Sequence, residues 1–335
     1  MDKNGEENYF PEASMDFLIE NGIAMVLAIQ SWGEWLQAPM QFFTSLGYEN
    51  FFLLILPLLY WCVDSRLGLR VGFILLASTA VYDLLKLAFA GPRPYWVSAA
   101  VKPFSAESSF GIPSGHAQSA VSVWGVIAAY IRKPWAWIVA VVLMFLIGFS
   151  RMYLGVHFPH DVLVGWLIGT VILTLFLSLW DSTAARVKRM NLIQQALLAF
   201  AVSLAIVLIG GVLVYGMRDY QIPEEWAANA LRAEEMPDPV SMDGILTSAG
   251  TLFGLSVGAA WIMQMGGFQV EGPIWKRALR YIVGLTGVVI LWMGLGAVFP
   301  RQEELISYSL RYLRYALVGF WVTGGAPWLF LRFSL

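Results

Sequence analysis

The sequence predicts an all-α protein, a polytopic transmembrane helical bundle of about nine spans with an N-terminal interfacial helix. Composition is the first reason. Of 335 residues, 58% are hydrophobic and only 13% charged, where a soluble domain carries about 25% charged residues. Mean hydropathy is +0.65. The second reason is the recurrence of apolar runs long enough to approach or reach a membrane span. Net charge is −2, from 21 Lys and Arg against 23 Asp and Glu. No basic excess points to nucleic acid as a partner. The single cysteine, Cys62, can form neither an internal disulfide nor a cysteine-based zinc site.

From the N-terminus, residues 1–14 hold Asp2, Glu6, Glu7 and Glu12 against only Lys3. A secretory signal wants a basic start, so no cleaved leader is expected. The run Phe17–Trp32 is interrupted by Glu20 and Asn21 and bounded by Glu34. It falls short of the ~20 residues a span needs and predicts an interfacial or re-entrant helix. The expected spans are 48–63, 67–88, 116–131, 135–150, 161–180, 194–216, 244–265, 281–299 and 305–331.

Basic residues in short loops set orientation. Arg66, Arg132, Lys133, Arg186, Lys188, Arg189, Lys276, Arg277 and Arg280 fall in alternate loops, which places those loops in the cytoplasm. The N-terminal segment and loops 89–115, 151–160, 217–243 and 300–304 then face the extracytoplasmic side. Loop 217–243 is the clear break in composition, with seven acidic residues from Asp219 to Asp243 and three prolines. It reads either as a solvated loop carrying a short helix at 224–233 or as a rim over the active face.

The chain has three histidines, His116, His157 and His160, all at same-side ends of expected spans. Core filler would have no reason to gather there. Three blocks converge. Lys86 ends the second span and is followed by Arg93-Pro94; alone, this lysine could snorkel or pair with Asp83 at i−3. Pro113-Ser114-Gly115-His116 opens a helix and offers an anion a hydroxyl and free backbone N–H groups. Ser150-Arg151 precedes His157, and Asp161 follows at i+4, where a carboxylate can hold one ring nitrogen and raise the basicity of the other.

Such a cluster suits phosphoryl transfer. Cations and amides bind nonbridging oxygens and stabilise the transition state, one histidine attacks phosphorus, and the other protonates the leaving oxygen. No metal or other cofactor is required. A metal site is the rival reading, because His157, His160 and Asp161 resemble a ligand set, although Arg93 and Arg151 would repel a dication.

Taken together, the three blocks resemble the type 2 phosphatidic acid phosphatase superfamily, which includes membrane lipid phosphatases, glucose-6-phosphatases and vanadium haloperoxidases. The resemblance implies His157 as a nucleophile forming a phosphohistidine, Asp161 orienting it, and His116 as general acid and then base. It also implies that Lys86, Arg93, Ser114, Gly115 and Arg151 hold phosphate, and that vanadate inhibits. Arg93-Pro-Tyr-Trp96, Ser150-Arg-Met-Tyr-Leu154, His157-Phe-Pro-His160 and Gly250-Thr-Leu-Phe-Gly254 are similar to glucose-6-phosphatases, whereas the acidic residue at 161 matches the lipid phosphatase pattern.

Three parts are expected: 1–47, an acidic and interfacial segment; 48–182, the catalytic core helices; and 183–335, C-terminal helices with the acidic loop 217–243. The expected activity is metal-independent hydrolysis of a lipid phosphate monoester or diphosphate at the extracytoplasmic surface of a multi-pass membrane protein in contact with membrane lipids. A glucose-6-phosphatase-like sugar phosphate hydrolase is the alternative. A transporter would explain the intramembrane Lys86 and Asp83 but not both histidine blocks. A non-catalytic lipid-binding member would need a broken site.

Overall fold

Helices account for the regular structure of the computed structural model, which describes residues 12–300 and 304–335, with side chains from residue 17 onward. Most of the acidic N-terminal segment lies outside the described residues. The chain starts with α1 (Glu12–Gln30), α2 (Gln37–Ser45) and α3 (Glu49–Leu58), the last extended by a π-helical turn over Leu59–Val63. Next come α4 (Ser65–Phe89), the short α5 (Pro94–Val97), α6 (Gly115–Ile131), α7 (Pro134–Tyr153) and α8 (Pro159–Val187). The distal half holds α9 (Leu192–Gly216), α10 (Glu224–Ala230), α11 (Asp243–Gln264), α12 (Ile274–Val289), α13 (Leu295–Val298), α14 (Leu305–Phe320) and α15 (Ala326–Arg332). Further π-helical turns at Ile290–Gly294 and Trp321–Gly325 join α12 to α13 and α14 to α15.

Local chemistry explains where the helices α4 to α8 begin and end. Asp64 caps α4, its carboxylate accepting from the Arg66 and Leu67 amides at 2.8 and 3.0 Å, which meets two donors the helix cannot satisfy. The same helix stops at Ala90, in the left-handed region at φ 49°, just ahead of Gly91-Pro92. Pro134 and Pro159 open α7 and α8 at the first turn, where a missing N–H costs nothing.

These helices alternate in direction, so the C-termini of α4 and α7 and the N-termini of α6 and α8 meet at one end of the bundle. Two glycines let α8 approach the start of α6 backbone to backbone. A Cβ at Gly165 would lie 2.7 Å from the Ser114 carbonyl oxygen, and one at Gly169 2.6 Å from that of Gln118. On the opposite face of α8, Leu163, Leu167, Val171 and Leu175 are exposed, an apolar stripe at i+4 spacing of the kind lipid covers.

The nine expected runs fall in helix except at the end residues Tyr48, Met265 and Phe299. The nine-span count is not confirmed: among the described residues six helices are long and apolar enough to cross a membrane, or seven if the bent pair Glu34–Ser45 and Glu49–Val63 is one span. Helix α6, at 17 residues, is shorter than the ~20 a span requires, and α14 carries Arg311 and Arg314. The apolar part of α1, Phe17–Gln30, is also shorter than a span and packs on α7 and α8.

Loop 217–243 packs on α5 and the loop that follows it rather than standing free in solvent. Its helix α10 packs on α5, and the Asn229 side chain donates to the Trp96 carbonyl at 2.9 Å. Arg232 reaches the carbonyls of Tyr95, Ser98, Ala99 and Val101, and the Asp238 amide donates to the Ser108 carbonyl at 2.9 Å.

Candidate active site

The four helix ends bring all three sequence blocks together. His157 sits in the turn between α7 and α8 and is 1% exposed. Its Nδ1 lies 3.3 Å from Asp161 Oδ2 and its Nε2 3.3 Å from Arg93 Nη1. An arginine can only donate, so this network assigns the Nε2 lone pair towards Arg93 and the Nδ1 proton to Asp161. That is a neutral imidazole with its nucleophilic nitrogen on the cationic side. Burial, then Arg93 and Arg151, push the His157 pKa well below its ordinary value, since both disfavour an imidazolium.

Asp161 has two tasks. Its Oδ2 also accepts from the Phe158 amide at 2.8 Å, satisfying an orphan donor at the start of α8, while Oδ1 lies 3.3 Å from His160 Nε2. The His160 ring stacks on Phe158 with centroids 5.1 Å apart. Among the described residues no group of three or more His, Cys, Asp or Glu side chains is placed to hold a metal ion.

Arg93 is fully buried and clamps two loops. Its Nε donates to the Ser109 carbonyl at 2.6 Å, Nη1 to Val156 at 2.9 Å and Nη2 to Phe110 at 3.0 Å. Lys86 does not pair with Asp83; its Nζ donates to Ser109 Oγ at 2.8 Å, so Ser109 links the lysine to Arg93. Arg151, also fully buried, donates through Nη1 to Thr44 Oγ1 at 2.6 Å and through Nη2 to Glu107.

Ser114 caps α6, its Oγ accepting weakly from the Ala117 amide at 3.5 Å and its own amide donating to the Asp161 carbonyl at 3.0 Å. Gly115 follows where a Cβ would meet the Tyr82 ring at 3.1 Å. His116 stands edge-on to Tyr48, ring centroids 5.0 Å apart, and its buried Nε2 has no hydrogen-bond partner among the described residues. A Cβ at Gly47 would press on that ring at 2.5 Å. Proton transfer needs such a free nitrogen.

Sequence reasoning missed Glu107 and Thr44. Burial alone would raise the Glu107 carboxyl, but Arg151, Arg93, His116 and Lys86 hold it well below the usual carboxylate range. The cluster therefore already binds one oxyanion, a carboxylate of its own loop. The signal was an acid six residues before Pro113: several buried cations need a counter-charge.

Lys86, Glu107, His116 and His157 line one cavity of about 460 Å³, within the size range of ligand sites. Its far wall comes from α3, α11, α14 and the π-helical turn after α14, where Leu53, Leu56, Leu255, Val318 and Val322 line it.

Comparison with known proteins identifies the family. A family profile described as "PAP2 superfamily" matches residues 67–185, and another, "PAP2 superfamily phosphatase, transmembrane extension", matches 246–335. Phosphatidylglycerophosphatase B of Bacillus subtilis (strain 168) is 31% identical over 41% of this chain and 72% of its own. Glucose-6-phosphatase 2 of Homo sapiens is 24% identical over 94% of this chain and 96% of its own. A crystal structure of a transmembrane PAP2-type phosphatidylglycerolphosphate phosphatase from Bacillus subtilis is similar to 51% of this chain over 96% of its own, at 26% identity and a TM-score of 0.40. On the profile and the bacterial relative, the chain belongs to the PAP2 superfamily and is a multi-pass membrane phosphatase.

Proposed function

We propose that this phosphatase releases phosphate from a lipid phosphate monoester or diphosphate through a phosphohistidine on His157, without a metal. One observation carries the reading: a neutral His157 with Nε2 on the cationic side and Nδ1 on Asp161, on the same cavity as an unpartnered His116. Nε2 attacks phosphorus and the ester oxygen leaves with a proton from His116. His116 then removes a proton from water, which attacks phosphorus and breaks the P–N bond, returning His157 and inorganic phosphate. Asp161 holds the ring through the Nδ1–H. Lys86, Arg93, Arg151, the Ser114 hydroxyl and the amide at Gly115 stabilise charge on the nonbridging oxygens.

The apolar wall supports a lipid leaving group. The near full-length match to a protein named glucose-6-phosphatase favours sugar phosphate as the second reading. Phosphate release from phosphatidate, a sphingoid base phosphate, an isoprenyl diphosphate and glucose 6-phosphate, assayed in mixed micelles with excess chelator, tests both. Lipid turnover that survives chelation and is blocked by vanadate is expected, because a trigonal bipyramidal oxyanion mimics the transition state. Turnover restored only by magnesium or zinc would overturn the metal-free chemistry.

The active end is assigned to the extracytoplasmic side, since Arg132, Lys133, Arg186 and Lys188 cluster at the other end. Helix α8, at 29 residues, puts about 43 Å between those ends. In a Cys62→Ala background on intact cells, Ser105→Cys should react with an impermeant thiol reagent and Ala185→Cys should not. The reverse pattern overturns the orientation.

A further inference from the structure

The mechanism leaves several ionisable side chains of the cavity unused, Glu49, Asp83, Asp238, Asp243 and Arg311, and of these Asp83 is the one with a buried oxygen that has no partner among the described residues. Asp83 lies on α4, three residues before Lys86, and lines the cavity with it. Its Oδ2 is buried and has no hydrogen-bond partner among the described residues, and no ion pair joins it to Lys86, which turns to Ser109 instead. Across from it, α11 begins with Asp243-Gly244, and a Cβ at Gly244 would come within 2.8 Å of Oδ2. The C-terminal helices thus make room for a carboxylate that they do not satisfy. Buried polar atoms are normally paired, and one left open at a cavity wall calls for a donor from outside. Leu56, Leu75, Val318 and Val322 give the same cavity an apolar wall, which it shares with Glu49 and Arg311.

Resting on the phosphatase reading above, we propose that Asp83 is the specificity-determining residue of a leaving-group subsite between α4 and the C-terminal helices. The subsite takes a leaving group with a hydrogen-bond donor, an ammonium or a hydroxyl, on the carbon next to the ester carbon and an apolar chain beyond it. The register fits. Three residues of α-helix advance about 4.5 Å, so a phosphoryl group held by Lys86 places the second carbon of the leaving group near the Asp83 carboxylate. The chain then continues towards Val318 and Val322, which the transmembrane extension supplies. A plain alkyl phosphate would bury the carboxylate without a partner and bind worse.

The test compares 2-aminododecyl phosphate, 2-hydroxydodecyl phosphate and dodecyl phosphate as substrates of the full chain in detergent, with nitrophenyl phosphate and glucose 6-phosphate alongside. The wild type should prefer the amino substrate to the plain one by about 10- to 100-fold in kcat/KM, the range for a hydrogen bond to a charged group. Each variant is judged by its own ratio of the two substrates. Asp83→Ala should bring that ratio close to one, and the isosteric Asp83→Asn should lower it while keeping the packing. Gly244→Ala, which crowds the carboxylate, should lower it as well. A wild type that hydrolyses nitrophenyl phosphate and dodecyl phosphate but shows no preference for the donor overturns this inference and leaves the phosphatase reading standing. So does an Asp83→Asn variant that keeps the full ratio. Glucose 6-phosphate turned over better than the amino lipid overturns the apolar half of the subsite. Failure to hydrolyse any of the five overturns both readings.

Discussion

Residues 67–185 and 246–335 are both helical and apolar and share one cavity, yet they are held together differently. In the first region the helix ends are tied by polar contacts: Arg93 to Ser109, Phe110 and Val156, Arg151 to Thr44 and Glu107, and Asp161 to His157 and Phe158. In the second, α11 and α14 touch backbone to backbone. Gly250, Gly254 and Gly258 form a stripe at i+4 spacing; a Cβ at Gly250 would come within 2.5 Å of the Tyr312 carbonyl oxygen, and one at Gly254 would collide with that of Ala316. Small residues permit this packing in lipid, where burial of apolar surface gives no drive. Under the proposed function the polar network positions charge for chemistry, and the glycine seam brings together two helices that line the cavity.

If that division is right, damage to the network changes rate without melting the bundle, and damage to the seam does the reverse. The largest effect short of removing the nucleophile is expected from His116→Ala, which should lower kcat on an alkyl phosphate by on the order of 10²–10⁴. The loss should be smaller in the first step with nitrophenyl phosphate, whose leaving group needs no proton. Asp161→Asn should cost on the order of 10²–10⁴ in phosphoenzyme formation by misorienting His157, with the melting temperature close to wild type. An equal loss of helicity in either variant would break the comparison.

A smaller effect is expected at the seam. Gly254→Leu should cost about 1–3 kcal/mol or more through overpacking, read as a lower melting temperature in detergent. Gly211→Leu is the control, because among the described residues no atom beyond its own helical turn lies within 4 Å of a Cβ there. Equal melting temperatures for the two would mean that α11 and α14 do not need their close approach.

The smallest effect concerns pH. His157 and Glu107 both have pKa values held below the ordinary ones, so unfolding lets each take up a proton the folded state refuses. Their contribution to stability is complete above about pH 6.5, falls first through the imidazole range, and falls further below about pH 4.3 as the unfolded carboxyl protonates. Melting curves from pH 8 to pH 4 should show this decline, and Glu107→Gln should flatten its most acidic part. A melting temperature that rises on acidification would contradict the buried, neutral His157.

Lys86, Arg93, His116, Arg151, His157 and Asp161, to which the proposed function gives the chemistry, were legible as a group because each sits at or near a helix end, and the fold brings those ends together. Glu107 and Thr44 were not, because an arginine in a sequence does not name its counter-charge, and the contact between Arg151 and Thr44 joins residues 107 apart. Lys86 was open to pairing with Asp83 through helical spacing alone, but Ser109 in the following loop competes for it. The helices were read from hydropathy, which reports composition better than length, so α6 counted as a span at 17 residues. The role of loop 217–243 depended on Arg232 meeting carbonyls more than a hundred positions away, a relation no local pattern contains.

The central claim is that His157 carries the phosphoryl group. Rapid quench with a radiolabelled phosphate ester, followed by alkaline treatment that preserves phosphohistidine, tests it on wild type, His116→Ala and His157→Ala. Label should be trapped on the wild type and accumulate on His116→Ala with nitrophenyl phosphate, because water is no longer activated. His157→Ala should carry none. An alkali-stable phosphoenzyme on His157→Ala, or none on His116→Ala with the activated substrate, would contradict the account.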